Sequence, residues 1–322
     1  MSTPPPALRV FVLGATGTIG RATVAALLAR GHQVVCFVRP GAAAQTSAEL
    51  RFGDVTDPAQ LARDGFRGEP FDAVVSCLAS RTGAPQDAWA IDHKAHVDAL
   101  AVAQAAGVRQ FVLLSAICVQ RPKLAFQHAK LAFEQALTRS GLIYSIVRPT
   151  AYFKSLSGQV NRLRAGKPFL LFGDGQLTAC KPISDGDLAR YLADCLGDPA
   201  LHNRILPIGG PGPAITPRQQ GEALFRLLET PPKFRQVPVA LLDTIIAGLS
   251  AAGRIAPPLR AKAELARIGR YYATESMLVL NPATGRYDAE ATPSTGKETL
   301  FDHYARLIRG DAVDDRGAHA VF

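Results

Sequence analysis

A doubly wound α/β fold around a parallel sheet is predicted by three observations on this 322-residue chain. Short, almost wholly apolar runs alternate with stretches of helical periodicity through residues 8–147. A run of glycines separates the first apolar run from the first helical stretch. Proline and glycine then break the second half into short pieces, which predicts a smaller C-terminal region. A soft boundary near Pro149 divides the chain into residues 7–150 and residues 151–322, the latter partly packing back on the sheet.

Each element has its own reason. Residues 8–13 (LRVFVL) are mostly apolar with no alternation, as a strand buried on both faces requires. Residues 21–30 carry Val24, Leu27 and Leu28 on one helical face, and Gly31 closes the helix as a C-cap. Strands follow over 33–38 (QVVCFV), 50–55 and 73–78 (AVVSCL). A helix over 92–106 stops at Gly107, a fifth strand spans 110–115 (QFVLLS), a helix runs over 126–140, and a sixth strand covers 144–147. Parallel neighbours need long crossovers, and these helices supply them. Farther on, Leu241, Leu242, Ile245, Ile246 and Leu249 fall at helical spacing, which predicts a core helix, with a pigment pocket or a membrane surface as the other settings for such a stripe.

Composition narrows the function. With 48% hydrophobic and 20% charged residues the chain is neither disordered nor fibrous. No apolar run approaches the roughly 20 residues of a membrane span. The N-terminus, with Pro4-Pro5-Pro6 and no apolar signal core, predicts a cytoplasmic location. Five cysteines without a C-x-x-C pair predict reduced thiols, and the seven histidines show no ligand-pair spacing, so no metal is expected. The net charge of +9 is uneven: +5 over 1–150, +7 over 151–270 and −3 over 271–322. A basic middle suits an anionic ligand or an anionic membrane surface. No basic run interleaves with aromatics, which argues against nucleic acid.

Gly14-Ala15-Thr16-Gly17-Thr18-Ile19-Gly20 lies between the first strand and the first helix. Gly14 permits the tight turn, Gly17 lets the backbone approach a pyrophosphate, and Gly20 lets the helix pack closely. The helix N-terminus offers free N–H groups to the phosphates. This is the signature of a Rossmann-type dinucleotide site. An NAD site has an acid about 20 residues on, at the end of the second strand. Here Phe37-Val38-Arg39-Pro40 carries a guanidinium instead, which predicts NADPH through the 2′-phosphate. Asp54 and Val55 are placed to meet the adenine, although Asp54 equally suits a local turn. Leu78 and Ala79 end the fourth strand, where the backbone would pass the adenosine ribose.

The reacting end resembles the short-chain dehydrogenase/reductase superfamily, in its atypical NmrA-like branch. That superfamily ends its fifth strand on Ser and opens the next helix with Tyr-x-x-x-Lys. Ser115 and Lys130 match, and Phe126 stands where the tyrosine would be. The resemblance implies that Lys130 reaches the nicotinamide ribose and that Ser115 lines the reacting end. Loss of the phenol counts against ordinary carbonyl reduction.

Longer stretches, 113–120, 144–160, 172–184, 206–225, 268–282 and 292–300, are similar to a family of NADPH-dependent vinyl reductases of (bacterio)chlorophyll synthesis. The resemblance implies a small-molecule substrate, divinyl chlorophyllide or protochlorophyllide a, whose C8 vinyl group becomes ethyl. A vinyl conjugated to the macrocycle spreads the incoming charge, so losing the tyrosine is tolerable. Plant members carry a transit peptide. Its absence here fits a bacterium, with its photosynthetic membrane as the surface for any peripheral contact. Lys130, Tyr152 and water are the candidate proton donors. On the substrate side Tyr152 and Phe153 are expected to stack on the macrocycle and Lys154 or Arg148 to meet its propionate, local packing being the alternative. Arg270-Tyr271-Tyr272 offers a similar mixture, and His128 reads as structural or exposed rather than as a magnesium ligand. An NADP(H)-sensing regulator and a reductase of another conjugated alkene or quinone are the competing functions. Oligomeric state is not legible.

Overall fold

The computed structural model describes residues 7–42, 46–256 and 258–311. Six strands appear in the order the apolar runs predict: β1 Arg9–Leu13, β2 Gln33–Val38, β3 Glu49–Phe52, β4 Ala73–Ser76, β5 Gln110–Leu114 and β6 Ile143–Pro149. After β7, Phe169–Phe172, the strand β8, Arg204–Ile208, returns to the sheet. All seven sheet strands are parallel, in the order β3-β2-β1-β4-β5-β6-β8. The order reverses between β1 and β4, and such a switch point opens a ligand crevice at the carboxyl edge. The register aligns that edge: Leu13 pairs with Phe37 and Ser76, Ser76 with Leu113, and Leu114 with Val147.

Side chains of β1 point alternately to two cores. Val10 and Val12 join Val24, Leu27, Leu188 and Leu192 beneath helices Thr18–Ala29 and Asp185–Gly197. Phe11 and Leu13 join Ala99, Phe111 and Phe133 beneath helices His96–Ala105 and Ala125–Thr138. Both faces are thus covered, which is why the strands read as continuous apolar runs. Residues 185–208 belong in space to this sheet, although they lie beyond Pro149 in sequence.

A third core holds the rest together. It contains Phe169, Leu171, Leu224, Phe225, Tyr271 and Tyr304. Here β7 pairs with β9, Phe234–Val237, and β10, Val279–Leu280, pairs with β11, Tyr287–Asp288. Tyr304 is wholly buried and donates its hydroxyl proton to the Leu156 carbonyl at 2.8 Å.

Two expectations are corrected. The third strand ends at Phe52 rather than 55, because Asp54 and Asp57 turn the chain there: the Asp54 carboxylate accepts from Thr56, and Asp57 caps the next turn. The core helix predicted around 239–249 exists as Val239–Ala252, but none of its 14 residues is buried. It packs on helix Pro258–Thr274 as a hairpin, joined by Asp243–Arg270 and by Arg267 to Ser250 Oγ at 2.8 Å. Periodicity reports a stripe and is silent on what covers it.

Candidate functional site

The glycine loop is built by steric exclusion. Gly14 has φ +75°, and a Cβ there would stand 2.5 Å from the Cys77 carbonyl carbon and the Leu78 nitrogen. A Cβ on Gly20 would stand 2.0 Å from the Gly14 oxygen. At Gly17 the nearest atom would be 3.5 Å away, so the protein itself leaves room there. Gly17 is the N-cap of the first helix, with no side-chain cap and no acid in the first turn. The first N–H groups of that helix are therefore open to an anion.

Some of the predicted cofactor residues lie in or against this loop. Thr16 offers its carbonyl to Arg21 at 2.7 Å, Thr18 and Ile19 open the helix, and beyond β4 the backbone of Cys77 and Leu78 lies against Gly14, with Ala79 next in the chain. Arg39 is exposed at the end of β2 and makes no ion pair among the described residues. Asp54 is exposed and held in its turn, while Val55 is half-buried against the core that holds Phe11 and Leu13. A cradle that a Cβ would fill, an open helix N-terminus and an unspent guanidinium together fit a phosphorylated dinucleotide.

Lys154 was expected on the substrate side. Its Nζ instead lies 2.7 Å from Thr18 Oγ1, at the phosphate end of the helix. The cause is backbone pairing. Ile183 N donates to the Ala151 carbonyl at 2.9 Å and Tyr152 bridges Ile183, which brings the start of helix Asp185–Gly197 alongside. Asp185 faces Lys154 and Arg21, and burial raises its pKa against both cations. Its Oδ1 is buried without a hydrogen-bond partner among the described residues.

The reacting end is made of buried charge. Lys130 Nζ is 3.0 Å from Asp92 Oδ1, and its side chain keeps only 12% exposure. Asp92 is wholly buried in a π-helical turn, Trp89–Ala95, and also accepts from the Ser80 amide at 3.2 Å. Its second oxygen has no partner among the described residues. One turn on, His96 holds Ser76 Oγ at 2.8 Å and the Ile91 carbonyl at 2.8 Å. Burial first, and then the charge of Lys130, depress its pKa to about 4, so the imidazole is neutral. Sequence reading missed Asp92, His96 and Ser76. The signal was present: Asp92 and His96 are four apart, on the helical face that buries Ala95, Ala99 and Ala103.

Other predicted residues are redirected. Ser115, 3% exposed, donates its hydroxyl proton to Glu134, and Arg148 clamps the same carboxylate, its Nε 3.2 Å from Oε1. A buried carboxylate must be paired, so Ser115 and Arg148 serve Glu134 and neither is turned to a ligand. Phe153 is 3% exposed in the third core, against His303, and cannot stack on a macrocycle. His128 is exposed on its helix. Tyr271 is structural, its hydroxyl bonded to the Cys118 and Arg121 carbonyls at 2.8 and 3.1 Å.

Tyr152 and Tyr272 remain at the cleft. Both lie by Cys118, and burial raises both phenol pKa values, keeping the protons on. The Tyr272 ring is 36% exposed while its hydroxyl turns inward to Cys118 Sγ at 3.8 Å. The Tyr152 hydroxyl has no hydrogen-bond partner among the described residues. Phe126 is 8% exposed and offers no phenol. No group of three or more metal-ligating side chains occurs among the described residues.

Residues 14–199 match a family described as NAD(P)H-binding. Over 97% of its length the chain is 49% identical to the chloroplastic divinyl chlorophyllide a 8-vinyl-reductase of Zea mays, covering 82% of that protein. The chain belongs to the divinyl chlorophyllide a 8-vinyl-reductase family. The counterpart in Oryza sativa subsp. indica is 48% identical over the same shares. Among solved structures, the NADPH-dependent quinone oxidoreductase QOR2 of Escherichia coli superposes with a TM-score of 0.68 at 19% identity, covering 93% of this chain and 99% of that one. That likeness shows the fold. The vinyl-reductase relatives match across the third core and the sheet alike, so family membership extends well past the glycine loop.

Proposed function

We propose that the protein reduces the C8 vinyl group of divinyl chlorophyllide or protochlorophyllide a to ethyl, with NADPH as donor. The observation that carries this reading is the near-half identity to named vinyl reductases across 97% of the chain. The reacting end agrees with it. A carbonyl reductase of this superfamily protonates an oxyanion from its tyrosine, and here that position is a buried phenylalanine. A conjugated vinyl needs no such acid early, because the macrocycle holds the developing charge.

Bound NADPH supplies the hydride. The chain's own groups do the rest. Gly14 and Gly20 shape the turn so that the helix N-terminus beside Gly17 would present its backbone N–H groups to the pyrophosphate, where Lys154 would add a cation, and Arg39 would take the 2′-phosphate. Lys130, held by Asp92, fixes the nicotinamide ribose. Tyr152 keeps its proton and its hydroxyl has no hydrogen-bond partner among the described residues, which suits it to protonate the carbon next to the ring after hydride reaches the terminal carbon. Packing around the cleft holds donor and vinyl together and keeps water out.

The test is anaerobic mixing of protein, NADPH and divinyl chlorophyllide. Stoichiometric NADPH loss with a Soret shift to shorter wavelength is expected. No NADPH consumption would favour the sensing role, and brisk turnover of a simple carbonyl instead would overturn the reading. Lys130→Ala retaining full turnover at saturating NADPH would remove that residue from the mechanism.

A further inference from the structure

Helix Val239–Ala252 is apolar and outside every core, so something must explain its exposed stripe. Leu241 is 49% exposed and Ile245 42%, while Ile255, at the turn to helix Pro258–Thr274, is 91% exposed. Leu265 on the second helix adds another exposed apolar side chain at 46%. Singly these would be unremarkable surface residues, but four large ones on one hairpin give it an unusually apolar exposed surface.

The unpaired charges of the hairpin are one-sided. Residues 244–263 contain no Asp or Glu and three cations, Arg254, Arg260 and Lys262. All three are exposed. Arg254 and Lys262 have no carboxylate partner among the described residues, and Arg260 spends its Nε on the Gly253 carbonyl at 2.7 Å without losing its charge. The two acids of the hairpin are both paired, Asp243 with Arg270, and Glu264 with Arg267 at 3.0 Å, so the unpaired charge it carries is cationic. A second copy seated face to face on this surface would oppose cation to cation. An anionic lipid surface would satisfy both features, taking the apolar side chains below its headgroups and the cations at them.

We propose that the hairpin 239–274 is an interfacial device that lies on an anionic bilayer. No helix among the described residues is long and apolar enough to cross one, so the contact is peripheral. The hairpin reaches back to the cleft through Tyr272, whose hydroxyl meets Cys118. Docking there sets the cleft beside the lipid surface.

Vesicle flotation of the full chain tests this, with phosphatidylglycerol–phosphatidylcholine vesicles against phosphatidylcholine alone. The wild type is expected to float with the anionic vesicles only, and less as salt is raised. Ile255→Asp and the pair Arg254→Glu, Lys262→Glu should each reduce partitioning by at least about fivefold. Vesicle-free turnover should be unchanged in all of them, since these residues stand outside the cleft. Equal binding to neutral vesicles, no binding at all, or unaltered flotation of both variants would overturn the proposal. So would light scattering that shows a dimer which Ile245→Asp dissociates, because the surface would then belong to a second copy.

Discussion

The two ends of the cleft are built from different material. At the glycine loop the working parts are backbone: open N–H groups, and two positions where a single carbon atom would collide with main chain. At the Lys130 end they are buried side chains from separate elements, Lys130, Asp92, His96 and Ser76. At Gly14 and Gly20 the backbone tolerates no added atom. Buried charge tolerates no missing partner. The first kind of site is set by local sequence, and the second exists only once helices and strands have met.

The largest contrast is expected within the loop itself. Gly20→Ala, with its Cβ 2.0 Å from the Gly14 oxygen, must displace the turn and should weaken NADPH binding by more than about 100-fold. Gly17→Ala meets only an ordinary contact at 3.5 Å. It should lower affinity while leaving the melting temperature near wild type, as cofactor fluorescence titration and thermal unfolding would show. Equal destabilisation by both would erase the distinction between steric packing and cofactor approach.

At the other end, Asp92→Ala leaves a buried ammonium alone and should cost about 3 kcal/mol of stability. Adding Lys130→Ala should recover part of that loss in a double-mutant cycle by urea unfolding, whereas simple additivity would mean that the pair is not coupled.

His96 predicts a pH dependence. Its folded pKa, about 4, lies below the unfolded value near 6.5. Stability is thus fully present above 6.5 and lost as pH falls from there toward 4, because only the unfolded chain takes up the proton. The loss should total roughly 3 kcal/mol. In His96→Gln the slope of stability against pH over that window should flatten. An unchanged slope would place the titration elsewhere.

The smallest effect concerns selectivity. Arg39→Ala should lower the preference for NADPH over NADH by about tenfold, measured as the ratio of kcat/KM, the loss of one charge-assisted contact. An unaltered ratio would move 2′-phosphate recognition away from the end of β2.

Legibility follows the same division. The strands, the glycine loop and Arg39 are consequences of neighbours in sequence, so they could be read directly. From the sequence Ser115 reads as a reacting-end residue and Arg148 as a propionate contact because their strand-end positions are right. Only the fold reveals Glu134 between them, one helical turn after Lys130. Phe153 was read as a stacking surface because an aromatic after a strand looks available, yet it enters the third core. Lys154 was read as a propionate anchor, and the pairing of Tyr152 with Ile183 carries it to Thr18 instead.

What the amino-acid order alone determined was the alternating architecture, the dinucleotide loop and the family, since periodicity, glycine spacing and motif are local properties of the chain. Tertiary structure alone decided which charges are paired, which aromatic rings are buried, and that the apolar helix at 239–252 faces outward. The physical reason is that pairing and burial are set by contacts between residues far apart in sequence, and a periodic stripe carries no label for what will cover it.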